Sequence, residues 1–517
     1  MKRRILLIAV CIAASALFSA SAQGTNDNDE VSESEFTVER SAESAVVFEG
    51  KRYTLPEMIV KAIELNPDIY IARYDAAMSD TGEMKYNAKY SPQFNASSGV
   101  SSTTNPEFFY PDYGKKNDSV DVSVSLAKYF STGTTVAAGM GHTKTRLDTG
   151  AGTDYDISNP VVFATIEQEL LKNSFGYSDR KQQKILENVT SMQRDAYKYS
   201  MSMIALQVIT DYWNVVISRN RLDNARVMLR ETKKVRGIVA EKVRIGLSEK
   251  FEINYWNSLV SSSNASVAQA EQNYRNALRM LLRDVNMEAE ISMQQKVILS
   301  DKLPEINTED AMKRAFEKRV DYLNAVRSFE NAKLSLQINE NNALPSLKGS
   351  VSVSSMDYNT DSASDAYSNT SSMKYPKYEA RISMTYPLDD TSQKADERNA
   401  GWIVEQARKN LEKTRRYVKD DVTTKVENLN TYYRLYSEAK DARTQAGLYY
   451  SNILTNMRRG RFAASSVRDA LDALVASREA ELQLLVAFNA SLIEFEVSKN
   501  ELFETYNIDI DKYIPVR

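Results

Sequence analysis

Between Lys377 and Tyr386 apolar and polar residues alternate strictly. Tyr378, Ala380, Ile382, Met384 and Tyr386 fall on one side and Lys377, Glu379, Arg381, Ser383 and Thr385 on the other. A period of two predicts a strand with two unlike faces. The same period in "LPSLKGSVSVSS" predicts its partner over residues 347–353, and "SVDVSVSLA", "GTTVAAGMG" and "PVVFATI" predict further strands over 119–127, 133–141 and 160–166. Elsewhere the period is helical. Residues 178–244 and 392–458 lack proline and are interrupted only by the single glycines Gly237, Gly401 and Gly447. Each predicts a helix on the order of 100 Å at 1.5 Å per residue. Each is followed by a short Gly-containing turn, "RIGLSEK" or "RRGRFAAS", and a returning helix. On the returning helices heptads carry two stripes. Large residues recur at Val260, Val267, Tyr274 and Leu281, and at Phe488, Phe495 and Leu502; small ones recur at Ser263, Ala270 and Ala277, and at Ala473, Ala480 and Ala487. Two stripes give a helix neighbours on both sides, which suits a wall of helices; an antiparallel coiled coil without a lumen fits the heptads as well.

The pattern occurs twice. A shift of 253 residues aligns "YTLPEMIVKAIELNPDIYIARYDAAMSDTGEMKYNAKYSPQFNASSGVSS" with "INTEDAMKRAFEKRVDYLNAVRSFENAKLSLQINENNALPSLKGSVSVSS" without a gap, placing Ala62, Glu64, Asp68 and Pro92 on Ala315, Glu317, Asp321 and Pro345. An internal duplication accounts for the shared helix, proline and strand. It divides the chain into a first repeat over 53–303 and a second over 304–517, each reading helix, strand, loop, strand, long helix, turn, long helix. The first repeat holds an extra hairpin, left unplaced.

The N-terminus reads as an export signal: a basic "MKRR", an apolar "ILLIAVCIAASALF" and an "ASA" cleavage pattern ending at Ala22. Residues 23–52 are acidic, Ser-rich and aperiodic, as in a flexible leader. Val10 before Cys11 fits a lipidation site poorly. Cys11 is the only cysteine, so a mature chain has no disulfide and no thiol nucleophile. With no apolar run of about 20 residues after the signal, any membrane span has to be made of strands. The alternation also fits a surface strand over a soluble core. One strand up and one down per repeat makes about four strands, and a closed membrane barrel needs at least about eight. On the barrel reading the wall is therefore shared, and three chains give twelve strands above twelve helices.

Net charge is −3 with both signs interspersed, which leaves no basic face for nucleic acid. The single histidine, His142, has no partner for a metal site and reads as a surface residue; no phosphate-binding GxxxxGK[ST] occurs. Asp420 and Asp421 read as a solvated helix face. No catalytic constellation and no cofactor site is found. Asp469 and Asp472 in "VRDALDALV" lie three apart on one helical face just past the second turn. They are either a functional acidic ring or acids favoured near a helix N-terminus by its dipole.

The duplicated openings "EMIVKAIELNPDIYIARYDA" and "DAMKRAFEKRVDYLNAVRSF", "SPQF" and "LPSL" before the first strands, "QELLKNSFG" and "TYPLDD" after the last, and the turns "VRIGLSEKFEI" and "RGRFAASSVRDALDA" together resemble the TolC family of outer-membrane efflux proteins. The resemblance covers the chain after residue 52. It implies a mostly α protein with a membrane β-barrel: a homotrimer whose shared twelve-stranded barrel stands on a long antiparallel α-helical barrel in the periplasm. It implies a passive exit duct of a tripartite efflux or type I secretion system, docked to a periplasmic adaptor (membrane fusion) protein and an inner-membrane pump. The alternative is a periplasmic or secreted structural coiled-coil protein. By resemblance, Asp469 and Asp472 match the aspartates that ring the tunnel entrance. Superposing Ala270 on Ala487 puts Glu252 on Asp469, with Arg461 or Arg468 as its partner in a closed tip. Gly246 then falls three residues short of Gly460, so the second turn is longer than the family's. Ile245, Gly246, Leu247 and Ser248 in one turn, and Gly460, Arg461 and Phe462 in the other, are expected to touch the adaptor.

Overall fold

A computed structural model of the chain describes residues 54–106, 115–150, 154–246, 248–288, 299–360 and 362–513. The export signal, Cys11, the acidic leader and Leu247 lie outside the described residues. Three short helices, α1 (Leu55–Leu65), α2 (Pro67–Ala77) and α3 (Thr81–Asn87), precede strands β1 (Gln93–Thr104), β2 (Lys116–Phe130), β3 (Thr134–Asp148) and β4 (Asp154–Glu169). Helices α4 (Tyr177–Arg244) and α5 (Lys250–Val285) form the first long hairpin. The second half runs α6 (Thr308–Lys318), α7 (Val320–Asn342), β5 (Ser346–Met356), α8 (Ala363–Ser371), β6 (Pro376–Thr385), α9 (Thr391–Arg458), α10 (Ala464–Ser498) and α11 (Leu502–Thr505). The starts of α6, α7 and β5 follow those of α1, α2 and β1 by 253 residues in each case (308 − 55, 320 − 67, 346 − 93). Caps recur with them. Thr54 accepts from the Glu57 amide ahead of α1, and Asn307, 253 residues later, from the Glu309 amide ahead of α6, each satisfying an orphan helical donor.

The large stripes hold the helices together. Met58, Ile59, Ala62 and Ile63 of α1 pack on Met201, Val208 and Ile209 of α4 and on Leu281 and Val285 of α5. The second half repeats the arrangement: Ala311 and Ala315 of α6 sit with Val418, Val422 and Leu429 of α9 and Phe488 and Phe495 of α10. In the small stripe of α10, Ala473 and Ala480 are exposed on the single chain.

All six strands form one antiparallel sheet in chain order. One strand up and one down per repeat accounts for four of them. The extra hairpin of the first repeat is β2–β3, which stands inside the sheet, so the twelve-strand total for three chains, built on four strands each, does not follow from this chain. Backbone hydrogen bonding explains the result: β2 pairs with β1 over residues 116–127 and with β3 along its whole length, β3 pairs with β4, and neither strand leaves an edge within the sheet. The expected polar loop between β5 and β6 also holds a helix, α8, because the Ser362 hydroxyl caps the Asp365 amide and Ala366 and Thr370 are buried where the helix lies on β4. On the same helix Tyr367 stacks on His142 at 5.2 Å, which half-buries that histidine instead of leaving it on the surface.

Register makes the two faces continuous. Phe94, Leu126, Ala138, Ala164, Val353 and Tyr378 form one row across the six strands. The neighbouring row on that face contains Ala96, Val124, Met140 and Val162. The opposite face carries Asn95, Ser97, Ser123, Ser125, Ser352, Glu379 and Arg381, with Ser97 and Ser123 hydroxyls 2.8 Å apart. No core of the chain covers most of the apolar face: Val100 is 81% exposed, Tyr378 77% and Ile382 76%. A strand lying on a soluble core would bury those side chains.

The sheet is fastened to the helices at the start of α4. Asn173, in the left-handed region at φ 55°, accepts from the Ser178 and Asp179 amides and donates to the Tyr129 hydroxyl and the Glu169 carboxylate. The Asp179 carboxylate receives Lys89 at 2.6 Å, the Tyr129 hydroxyl at 2.7 Å and the Tyr86 hydroxyl at 3.0 Å. Burial works against its charge, but Lys89 and the two hydroxyls outweigh it and hold the carboxyl below its ordinary range. A folded-state value below the unfolded one means the stabilisation is fully present above the unfolded value, about 4, and is lost as pH falls through the folded one. Asp179→Asn is therefore expected to lose about 2 kcal/mol at pH 7, the size of a charge-assisted hydrogen bond. The gap from wild type should begin to narrow below about pH 4 and close as pH falls through the lower folded-state value, where both proteins carry a neutral group; a smaller difference in melting midpoint at pH 3 than at pH 7 checks this.

Candidate functional site

The two helical turns lie together at the end of the long hairpins. Val235 and Val239 of α4, Trp256 of α5, Ile453, Leu454 and Met457 of α9, and Val467 and Ala470 of α10 make one buried cluster there. Lys242 reaches across to donate to the Met457 carbonyl at 2.9 Å, which also accepts the Gly460 amide at the end of α9.

Each turn reverses on a glycine. Gly246 has φ 75° and Gly460 φ 79°, and nothing lies within 4 Å of where a Cβ would stand on either. Backbone conformation, not packing, therefore demands glycine at both positions. Around them Ile245 is 53% exposed, Phe251 69% and Phe462 43%, and Ser248 is partly buried. Phe251 and the exposed Tyr255 were not singled out from the sequence; a large apolar residue in the first turn of a helix, facing away from the heptad stripe, was the available signal.

The charged residues are distributed as follows. Asp469 and Asp472 are exposed on the first two turns of α10, on the side away from buried Val467, Ala470 and Leu471. Arg468 places its guanidinium against the Tyr255 hydroxyl and 3.4 Å from Asp472. The Tyr255 contact holds the Arg468 proton more firmly than usual. This arginine links the starts of α5 and α10. Glu252 accepts from the Ser248 hydroxyl within its own turn, so Arg468 is engaged elsewhere within the chain. Arg461 is exposed, its amide closing the α9 turn on the Asn456 carbonyl. The site offers carboxylates, one tyrosine–arginine link and apolar tips. Among the described residues no cluster of three or more His, Cys, Asp or Glu side chains could hold a metal, and no helix is long and apolar enough to cross a membrane.

Known structures share this architecture. The transmembrane channel protein CusC is 15% identical, with 86% of this chain and 91% of that one covered at a TM-score of 0.63. The CmeC outer membrane channel of Campylobacter jejuni is 11% identical over 94% of this chain and 99% of its own, with a TM-score of 0.61. The fold is that of the TolC-like outer-membrane channels. The open state of the Neisseria gonorrhoeae MtrE outer membrane channel is also similar, at 14% identity, 87% and 89% coverage and a TM-score of 0.59. No family model and no curated protein sequence matches the chain. At this level of identity the likeness is one of fold.

Proposed function

We propose that three copies of this chain form a passive exit duct in the outer membrane, exported by a cleaved signal and built from two tandem repeats. The duct serves a tripartite efflux or type I secretion system. The observation that carries the reading is the exposed, continuous apolar face of the sheet, standing on helical hairpins of about 100 Å. Lipid covers such a face, and a sheet can lie in lipid only when its edges are closed. Exposed Ala473 and Ala480 on α10 allow helices of neighbouring copies to approach closely. The tips, Ile245–Ser248 and Gly460–Ala464, with Phe251 beside them, form the docking surface for a periplasmic adaptor and through it an inner-membrane pump. Asp469 and Asp472, six carboxylates from three chains, line the entrance, with Glu252, Arg461 and Arg468 around them.

Membrane fractionation and light scattering test this reading. The mature chain is expected in the outer membrane, soluble only in detergent, with a protein mass of three chains. A detergent-free monomer overturns it.

A further inference from the structure

We propose that the β2–β3 hairpin is part of the lipid-facing wall, so that three copies close an eighteen-stranded barrel, wider than the twelve strands that two per repeat would supply. The partner surfaces are the two edges left unpaired within the chain, β1 of one copy against β6 of the next. The inference rests on the three-chain reading above and goes beyond it in what it says of the wall.

Three observations place the hairpin in the wall. Its apolar residues fall in the same rows as those of the other strands, Leu126 and Ala138 between Phe94 and Ala164, Val124 and Met140 between Ala96 and Val162. These side chains face no other part of the chain: Leu126 and Met140 are more than half exposed. A hairpin folded into the lumen or projecting above the membrane has no reason to continue that face. Height agrees as well. On β2 the apolar run Val120, Val122, Val124 and Leu126 is bounded by Asp118 and Lys128. The ten steps between those two charges, at about 3.3 Å and tilted by about 40°, separate them by about 25 Å in height, the height of the apolar band of outer-membrane barrels.

The third observation is at the helical end. The tight turn joining β2 to β3 is seated on the junction before α4. A Cβ on Gly176 would stand 1.7 Å from the Ser131 carbonyl oxygen, and one on Gly133, at φ 71°, would stand 3.1 Å from the Asn173 carbonyl oxygen. Gln168 donates to the Thr132 carbonyl at 3.0 Å, and the Tyr129 hydroxyl is held by Asp179. The hairpin is therefore fixed at the same level as β1 and β4, with both of its strands 15 residues long. With strands about 4.8 Å apart and tilted by about 40°, eighteen give a backbone diameter of about 36 Å and twelve about 24 Å.

Single-particle imaging of the full mature protein in lipid nanodiscs counts strands directly. Three copies with an eighteen-stranded wall about 36 Å across are expected. Three copies with a twelve-stranded wall and the hairpin outside it overturn this inference while leaving the duct standing; any other copy number overturns the duct's three-chain reading and the eighteen strands with it. Labelling supplies a second measurement, since the mature chain lacks cysteine. In nanodiscs Val122→Cys and Val124→Cys are expected to resist a membrane-impermeant maleimide and to react only after unfolding, whereas Ser123→Cys reacts through the lumen. Equal reaction at all three positions places the hairpin outside the lipid wall and overturns the proposal.

Discussion

Replacing Asp469 and Asp472 together by asparagine is expected to raise the concentration at which a divalent cation blocks the reconstituted channel by two decades or more. Both carboxylates are exposed at the start of α10, and Asp472 is partly offset by Arg468 at 3.4 Å. On the proposed three-chain reading six of them stand around one axis. A divalent ion about 4 Å from a carboxylate gains about 2 kcal/mol in water, so six supply about 12 kcal/mol before dehydration is subtracted. If only a quarter survives, about 3 kcal/mol remains, which is two decades in binding. Each single substitution should give an intermediate shift, larger for Asp469, which makes no ion pair among the described residues, whereas Asp472 is paired with Arg468. Single-channel conductance against cation concentration, in symmetric salt, reads the effect. A double variant blocked at the wild-type concentration would mean that the ring lies elsewhere.

What the sequence revealed was periodicity, because periodicity is a property of the backbone. The long helices end where glycines force a left-handed turn, at Gly246 and Gly460, and both are visible as isolated glycines after long runs free of proline. Strand positions followed from alternation, though β2, β3 and β4 extend past the alternating cores through residues such as Lys116 and Asp154, whose polarity breaks the pattern. The pairing of the strands could not be read, since alternation fixes the faces of a strand and not its neighbours. Hence the hairpin had no place until the register supplied one. Side-chain partners across distant segments were equally hidden. Tyr129 and Asp179 are 50 residues apart and Lys89 and Asp179 are 90. At the tip the residue types were legible and their pairings were not: Arg468 could have reached Glu252, yet Tyr255 stands one turn further along α5 and takes it.

Asp420 and Asp421 separate in the same way, and the difference predicts the largest loss of stability. Asp420 is exposed, as a solvated face requires, whereas Asp421 is partly buried and accepts from Arg319 at 2.6 Å. Arg319 occupies the single extended residue between α6 and α7, and its side chain is only 11% exposed. It forks onto both oxygens of Asp321 at 3.0 and 2.7 Å, and reaches the Ser498 carbonyl at 3.4 Å, so one side chain ties α7 to α9 and α10. Burial opposes its charge, and the two carboxylates more than offset that and hold the proton on. Removing it leaves Asp421 without its cation in a partly buried position, a loss of about 3 kcal/mol at the lower end for a broken buried pair. For a chain of this size Arg319→Met is expected to lower the melting midpoint in detergent by about 3 °C. Arg319→Lys should recover part of it, because an ammonium keeps the charge and loses the fork. Asp420→Asn serves as the exposed control and should melt with the wild type. Equal melting of Arg319→Met and Asp420→Asn would show that the three helices are held by their apolar stripes alone.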